Sequence, residues 1–348
     1  MAGHLRAGDG RVCTRGRRSV VEANFSRNLS MELARVTEAA ALTAGRWMGR
    51  DQKEAADQAA VDAMRQVLDS IEMEGEVVIG EGEKDHAPML YTGEIVGRAP
   101  EPKVDIAVDP VDGTRLLASG MPNSIAVLAI AERGSMYRWE DIAYMDKIAV
   151  GPDARGSIDL RDTPAENLAR IARAKGRKVD DLTVVVLDRP RHQQLIREIR
   201  DAGARLKLII DGDVAGALMS AMDGTGIDAM MGIGGSPEAV IAACALKCVG
   251  GEMQCRVWPR DEEERAMAIE RDIDLDRVWE INDLVQGDEA FFAATGITDG
   301  ELLDGVHYGS EGATTHSLVM RATSGTVRYI KSTHRLEKLK TLRQMPWD

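Results

Sequence analysis

The feature that most constrains this chain is the alternation of short apolar runs with helical periodicity between residues 183 and 249. Residues 183–187, 206–210 and 227–231 read as strands, and each is followed by a helical pattern, over 191–202, 214–222 and 237–249. Successive strand–helix units predict parallel strands with helices packed on the sheet. Each strand empties into a polar turn: Asp188-Arg189-Pro190-Arg191-His192, Asp211-Gly212-Asp213, and Gly232-Ile233-Gly234-Gly235-Ser236-Pro237-Glu238. Open α/β sheets collect ligands at such strand ends.

The first half is less regular. Helical patterns cover 31–48 and 53–71, and strand patterns cover 76–80, 104–108, 125–131 and 142–150. Strand-like alternation returns over 318–332. No repeat of 20–50 residues appears. The expected organisation is an α/β fold in two halves, over 31–185 and 186–348, with the site at their seam. Residues 1–30 carry Arg6, Arg11, Arg15, Arg17 and Arg18 without an apolar pattern. They read as a disordered arm, or as an extension ahead of a second start at Met31.

Composition removes several function classes. The formal net charge is -13, which opposes a nucleic-acid partner held by summed Lys and Arg charge. No apolar run reaches the roughly 20 residues that span a bilayer, and no signal-peptide apolar region opens the chain. The expectation is a cytoplasmic protein with neither membrane nor nucleic-acid partner. Cys13, Cys244, Cys248 and Cys255 form no CxxC, and the 6 histidines stand singly, which argues against a zinc site. Cys244 and Cys248 lie four apart in an apolar helical run and read as small buried hydrophobes.

Carboxylates cluster at strand ends in the first half. Ile79-Gly80-Glu81-Gly82-Glu83 places Glu81 and Glu83 on one side at period two. In Asp109-Pro110-Val111-Asp112-Gly113-Thr114, Pro110 is expected to stop the strand, and the following turn to bring Asp112 back beside Asp109. Adjacent carboxylates repel unless a proton or cation intervenes, and a hard divalent cation with oxygen ligands resolves this. Asp57 is a further candidate, or simply an exposed helix charge. In the second half, Arg189 and Arg191 ahead of a helix suit phosphate recognition. Asp213 reads equally as a helix cap, and Glu238 as a partner of a helix dipole. The glycine run does not complete a dinucleotide fingerprint, because Pro237 stands where the third glycine would fall. No GxxxxGK[ST] phosphate loop occurs.

Taken in order, IGEGEKDHAPML (79–90), DPVDGT (109–114), DRPRH (188–192), DGD (211–213), GIGGSPE (232–238) and TGIT (295–298) resemble the bacterial class II fructose-1,6-bisphosphatases. The resemblance runs from about Met31 to about Leu339. It implies the layered α-β-α-β-α sandwich of the lithium-sensitive sugar and inositol phosphatases. It also implies Mg²⁺- or Mn²⁺-dependent hydrolysis of the 1-phosphate of fructose 1,6-bisphosphate, in gluconeogenesis. Asp57 and Glu81 would hold one metal, and Asp109, Asp112 and Glu238 another. Asp112, Gly113 and Thr114 would meet the scissile phosphate. Tyr144, Arg189, Pro190, Arg191, Asp211, Gly212, Asp213 and Gly235 would contact the sugar and second phosphate. Thr114 would orient water with help from a carboxylate such as Asp85, and Lys53 would steady the phosphate or a carboxylate. The family often has Glu where this chain has Asp112. It further implies a homodimer or homotetramer.

Competing readings are a dual fructose-1,6-/sedoheptulose-1,7-bisphosphatase, an inositol-type monophosphatase, a nucleotide-dependent oxidoreductase built on 232–235, and a non-catalytic phosphosugar sensor. The second arginine opposes the monophosphatase. Pro237 and Glu238 oppose the oxidoreductase.

Overall fold

The strand over Ile125–Glu132 shows how the layers arise. Val127, Ala129 and Ala131 enter one apolar core, whereas Ala126, Leu128 and Ile130 enter another on the opposite face. A strand buried on both faces needs covering layers on both sides. The computed structural model describes residues 29–82, 89–138, 142–335 and 337–338. Expectations for residues 1–28 and for Glu83 and Asp85 lie outside the described residues; Leu29 and Ser30 already belong to the first helix.

The strands follow the chain in three groups. Strands β1 (Glu74–Ile79), β2 (Ile95–Val96), β3 (Lys103–Asp112) and β4 (Ile125–Glu132) begin the larger sheet. The second sheet holds β5 (Tyr144–Val150), β6 (Thr183–Leu187), β7 (Arg205–Ile209), β8 (Ala229–Gly235), β9 (Glu252–Val257) and β10 (Trp279–Glu280). The chain then returns to the first sheet with β11 (Ala290–Gly296), β12 (His307–Tyr308), β13 (Ala313–Arg321) and β14 (Thr326–His334). The helices are α1 (Leu29–Ala44), α2 (Lys53–Leu68), α3 (Thr114–Ala118), α4 (Pro164–Ala174), α5 (Gln193–Asp201), α6 (Asp213–Met219), α7 (Ser236–Val249), α8 (Glu262–Glu270) and α9 (Ile281–Leu284).

Three cores hold five layers together, the largest filling both interfaces of the central helices. Helices α1 and α2 pack on the outer face of the first sheet. Helices α6 and α7 fill the space between the sheets, and α4 and α5 cover the far face of the second. The α-β-α-β-α order is the one the sequence resemblance implies. Helix α7 is buried nearly all round, from Ala239 through Leu246, as a helix between two sheets must be. Its Cys244 and Cys248 are buried thiols, and burial pushes Cys244 up to about 12. They pack as hydrophobes.

The three strands read from the second-half alternation, β6, β7 and β8, are parallel as expected, and β5 from the first half joins their sheet antiparallel to β8 and β9. Two other expectations need correction. The sheets do not follow the halves of the chain. The expected boundary after residue 185 falls inside β6, and β5 and β11–β14 each sit in the sheet of the other half. Lastly, Pro110 does not end β3. The strand continues to Asp112 through an irregularity, with Asp109 opposite Val127 and Asp112 opposite Ile125. Three steps on β3 match two on β4, which is a bulge. Proline is tolerated there because pairing with β1 stops at Ala107, leaving that side of β3 free of ladder bonds.

Candidate active site

A cavity of about 600 Å³ opens where the strand ends of the two sheets face each other. One wall comes from β1, β3 and the start of α7, and carries Glu81, Asp109, Asp112, Thr114 and Glu238. The other comes from β5 and the turns after β6 and β7, and carries Tyr144, Arg189, Arg191, Asp211 and Asp213. Gly113, Gly212 and Gly235 also line it. Asp57 joins from α2, its Oδ1 3.2 Å from Thr114 Oγ1. Pro190 is exposed and opens the short turn that carries Arg191 and His192, outside the lining. Lys53 opens α2 one turn before Asp57, half-buried and also outside the lining.

Among the described residues no salt bridge reaches the acidic wall, although the Lys147 charge is felt by Glu238. Burial raises Asp109 well above the carboxylate range, and Asp112, Glu238 and Glu81 add to the shift. Burial likewise raises Asp112, then Asp213, against an opposing bond from the Ala215 amide. That N–H donates to Asp112 Oδ2 at 3.0 Å, so a carboxylate from the first sheet caps α6 beside the second. Glu81 is reached by solvent through the mouth, yet is surrounded closely enough that desolvation, then Asp57 and Glu238, push it to about 7. Asp57 rises to about 6, chiefly by burial. Glu238 Oε2 is buried with no hydrogen-bond partner. This orphaned oxygen and an all-oxygen donor set fit a hard divalent cation. The residues able to hold it are Asp57, Glu81, Asp109, Asp112 and Glu238. Among the described residues, no three side chains already form a closed metal cage.

Glycines make room for these carboxylates. A Cβ on Gly235 would lie 1.8 Å from Glu238 Oε2, and one on Gly234 would lie 1.9 Å from Asp213 Oδ2. Gly234 and Gly235 therefore serve the acids.

The opposite wall is internally neutralised. Asp213 Oδ2 accepts from Lys147 Nζ at 2.7 Å, with both side chains nearly fully buried. Asp211 accepts from Arg189 Nη2 at 3.2 Å and from the Arg115 amide at 3.1 Å. Arg191 lies over the Tyr144 ring at 4.8 Å and donates from Nη2 to Ile233 O at 2.9 Å, while its Nε is buried without a partner. Sequence reasoning missed Lys147. Its signal was parity: Lys147 shares the side of β5 that carries Met145 and Ala149, whereas the adjacent Asp146 lies on the other, and a charge on an apolar face ordinarily marks a buried pair or a site.

Carboxylates facing guanidinium groups across one cavity, at the strand ends of this layered sandwich, define a phosphoric monoester hydrolase. The chain belongs to the family described as "Bacterial fructose-1,6-bisphosphatase, glpX-encoded", whose sequence profile matches residues 27–334. It is 48% identical over 331 residues to a "D-fructose 1,6-bisphosphatase class 2/sedoheptulose 1,7-bisphosphatase" of Synechococcus sp. (strain JA-3-3Ab), covering 88% of this chain and 95% of that one. It is 44% identical over 343 residues to a protein of the same name from Synechococcus elongatus, covering 91% and 99%.

Proposed function

We propose that the chain hydrolyses the 1-phosphate of fructose 1,6-bisphosphate to fructose 6-phosphate and phosphate, with sedoheptulose 1,7-bisphosphate as a second substrate. The observation that carries this reading is a pair of buried, unpartnered groups in one cavity, Glu238 Oε2 and Arg191 Nε. One wants a cation and the other an anion. A substrate with two phosphates, one beside each wall, meets both needs. The relatives named for both sugars favour the dual reading.

Mg²⁺ or Mn²⁺ held by Asp57, Glu81, Asp109, Asp112 and Glu238 would neutralise these acids, polarise phosphoryl oxygens and acidify water. The chain's own residues do the rest. Arg191, with Arg189 and the Tyr144 face, binds the distal phosphate. Asp211 and Asp213, fixed by Arg189 and Lys147, accept from sugar hydroxyls. Gly113 and Gly235 bring backbone to the cavity wall beside the substrate. Thr114 Oγ1 donates to Asp57 Oδ1 and orients the attacking water through a lone pair, leaving Asp57 as the proton acceptor in reach. Lys53, one helical turn before Asp57, steadies that carboxylate or the phosphate. The water oxygen attacks phosphorus as its proton passes to the acceptor, the bond from phosphorus to O1 breaks, and O1 takes up a proton to leave as the sugar hydroxyl. We place the enzyme in gluconeogenesis in the cytoplasm, as a homodimer or homotetramer. Among the described residues no helix is long and apolar enough to cross a membrane.

The test is phosphate release from fructose 1,6-bisphosphate, sedoheptulose 1,7-bisphosphate, fructose 6-phosphate and inositol 1-phosphate, each with EDTA, Mg²⁺ or Mn²⁺. One phosphate released per bisphosphate, only with metal, is the expected result. Equal release from inositol 1-phosphate would replace the reading with a monophosphatase, and metal binding without release would replace it with a sensor.

A further inference from the structure

Strands β6 and β8 pair at only two positions, Val184 with Ala229 and Val185 with Met230. Beyond them the ladder opens toward the cavity, and His192 occupies the opening. Its side chain is 1% exposed. Nδ1 lies 2.7 Å from Leu187 O on β6, and the Ile233 amide of β8 donates to Nε2 at 2.7 Å. These partners fix the ring's state. A carbonyl oxygen only accepts and an amide N–H only donates, so the imidazole is neutral with its proton on Nδ1. Burial, then Arg191 and Arg189, lower its pKa against the opposing Leu187 bond, in keeping with that state. Gly232 lies flat against the ring, where a Cβ would come within 3.0 Å of Nε2.

The peptide that His192 holds also holds Arg191. Ile233 gives its N–H to His192, and its carbonyl accepts from Arg191 Nη2. Arg191 and His192 are consecutive, so the turn after β6 grips one residue of β8 at both polar ends. Downstream of that residue come Gly234, Gly235 and Glu238, which line the cavity.

We propose that His192 is a positioning residue for the second phosphate: as a neutral Nδ1–H imidazole spanning the split between β6 and β8, it fixes the Ile233 carbonyl and thereby aims the Arg191 guanidinium into the cavity. The inference rests on the reading that Arg191 binds the distal phosphate. His192 touches neither substrate nor reacting atoms, so its loss acts on binding of the bisphosphate, not on the chemical step.

The experiment measures kcat and KM of the metal-loaded enzyme on fructose 1,6-bisphosphate and on fructose 1-phosphate, which lacks the distal group. His192→Phe, which removes both hydrogen bonds, is expected to raise KM for the bisphosphate about tenfold while leaving KM for fructose 1-phosphate within about twofold. His192→Gln offers one donor and one acceptor and should restore KM to within about threefold of wild type. In an Arg191→Ala background, His192→Phe should add less than about twofold, because both changes remove one function. An unchanged bisphosphate KM, equal losses on both substrates, or additive effects with Arg191→Ala would each overturn the proposal. If Arg191→Ala leaves the bisphosphate KM unchanged, the distal-phosphate reading falls instead. The ring state is tested separately by ¹⁵N NMR of the wild type, which is sensitive to tautomer even if His192→Phe fails to fold. Protonated Nδ1 and bare Nε2 near neutral pH are expected, and an Nε2–H tautomer or an imidazolium would contradict the geometry.

Discussion

Two turns face each other across the cavity with the same local design, Asp112-Gly113-Thr114 from the first sheet and Asp211-Gly212-Asp213 from the second. Each places an aspartate, a left-handed glycine and the first residue of a helix. Their electrostatics differ. Asp211 and Asp213 have Arg189 and Lys147 as partners. Asp112 shares its wall with Asp109, Glu81 and Glu238; burial comes first in raising all four, and nearby carboxylates add to it, Asp213 foremost for Asp112 and Glu238. One wall is paired within the protein, and on the proposed reading the other takes a cation from outside. The contrast shows how one motif serves two jobs: the counter-ion built beneath it decides which.

Asp109→Ala should have the largest effect, because it removes an acidic ligand at the centre of the unneutralised wall. kcat should fall about a thousandfold. Retention of more than a tenth of wild-type turnover would mean that Asp109 holds no metal. Lys147→Met attacks the other wall by leaving Asp213 buried and unpaired, at a cost of about 3 kcal/mol. Chemical denaturation checks this, and unchanged stability would show that Asp213 finds another partner. Gly235→Ala places a Cβ on the Glu238 carboxylate. Calorimetry should then report metal affinity weakened about tenfold with substrate contacts on the far wall unaffected. Arg191→Ala should raise KM for the bisphosphate about tenfold with kcat nearly kept.

The smallest effect concerns pH. Asp57 and Glu81 titrate at about 6 and about 7 in the folded protein, above their ordinary 3.8 and 4.5. The folded state therefore binds these protons more tightly than the unfolded chain does, and ionising the groups disfavours folding. This penalty is full above about pH 7 and fades as pH falls through about 6 toward 4. Metal-free wild type should gain melting temperature on acidification relative to an Asp57→Asn, Glu81→Gln variant. No difference between the two curves would contradict the shifts.

Much of this was legible in the sequence, for identifiable reasons. Asp109–Thr114 announces itself because aspartate, proline and glycine each restrict the backbone, so the segment admits few shapes. The layers are legible in the even and odd positions of β4. The path of β3 through Pro110 was not, because tolerance of proline depends on where β1 stops pairing. The antiparallel placement of β5 was equally hidden, since its partners β8 and β9 are distant in sequence. Pro237 already opposed a dinucleotide reading of the glycine run, but the sequence did not show its purpose: Gly234 and Gly235 leave steric room for Asp213 and Glu238. Only packing shows that a missing Cβ serves another residue's carboxylate.

The central claim is that a cation belongs to one wall alone. Mn²⁺ binding followed by electron paramagnetic resonance tests it most directly, using wild type, Glu238→Gln and Arg191→Ala. Glu238→Gln should weaken Mn²⁺ binding about tenfold or more, while Arg191→Ala should bind Mn²⁺ as wild type does. Unimpaired binding by Glu238→Gln, or a matching loss in Arg191→Ala, would contradict it.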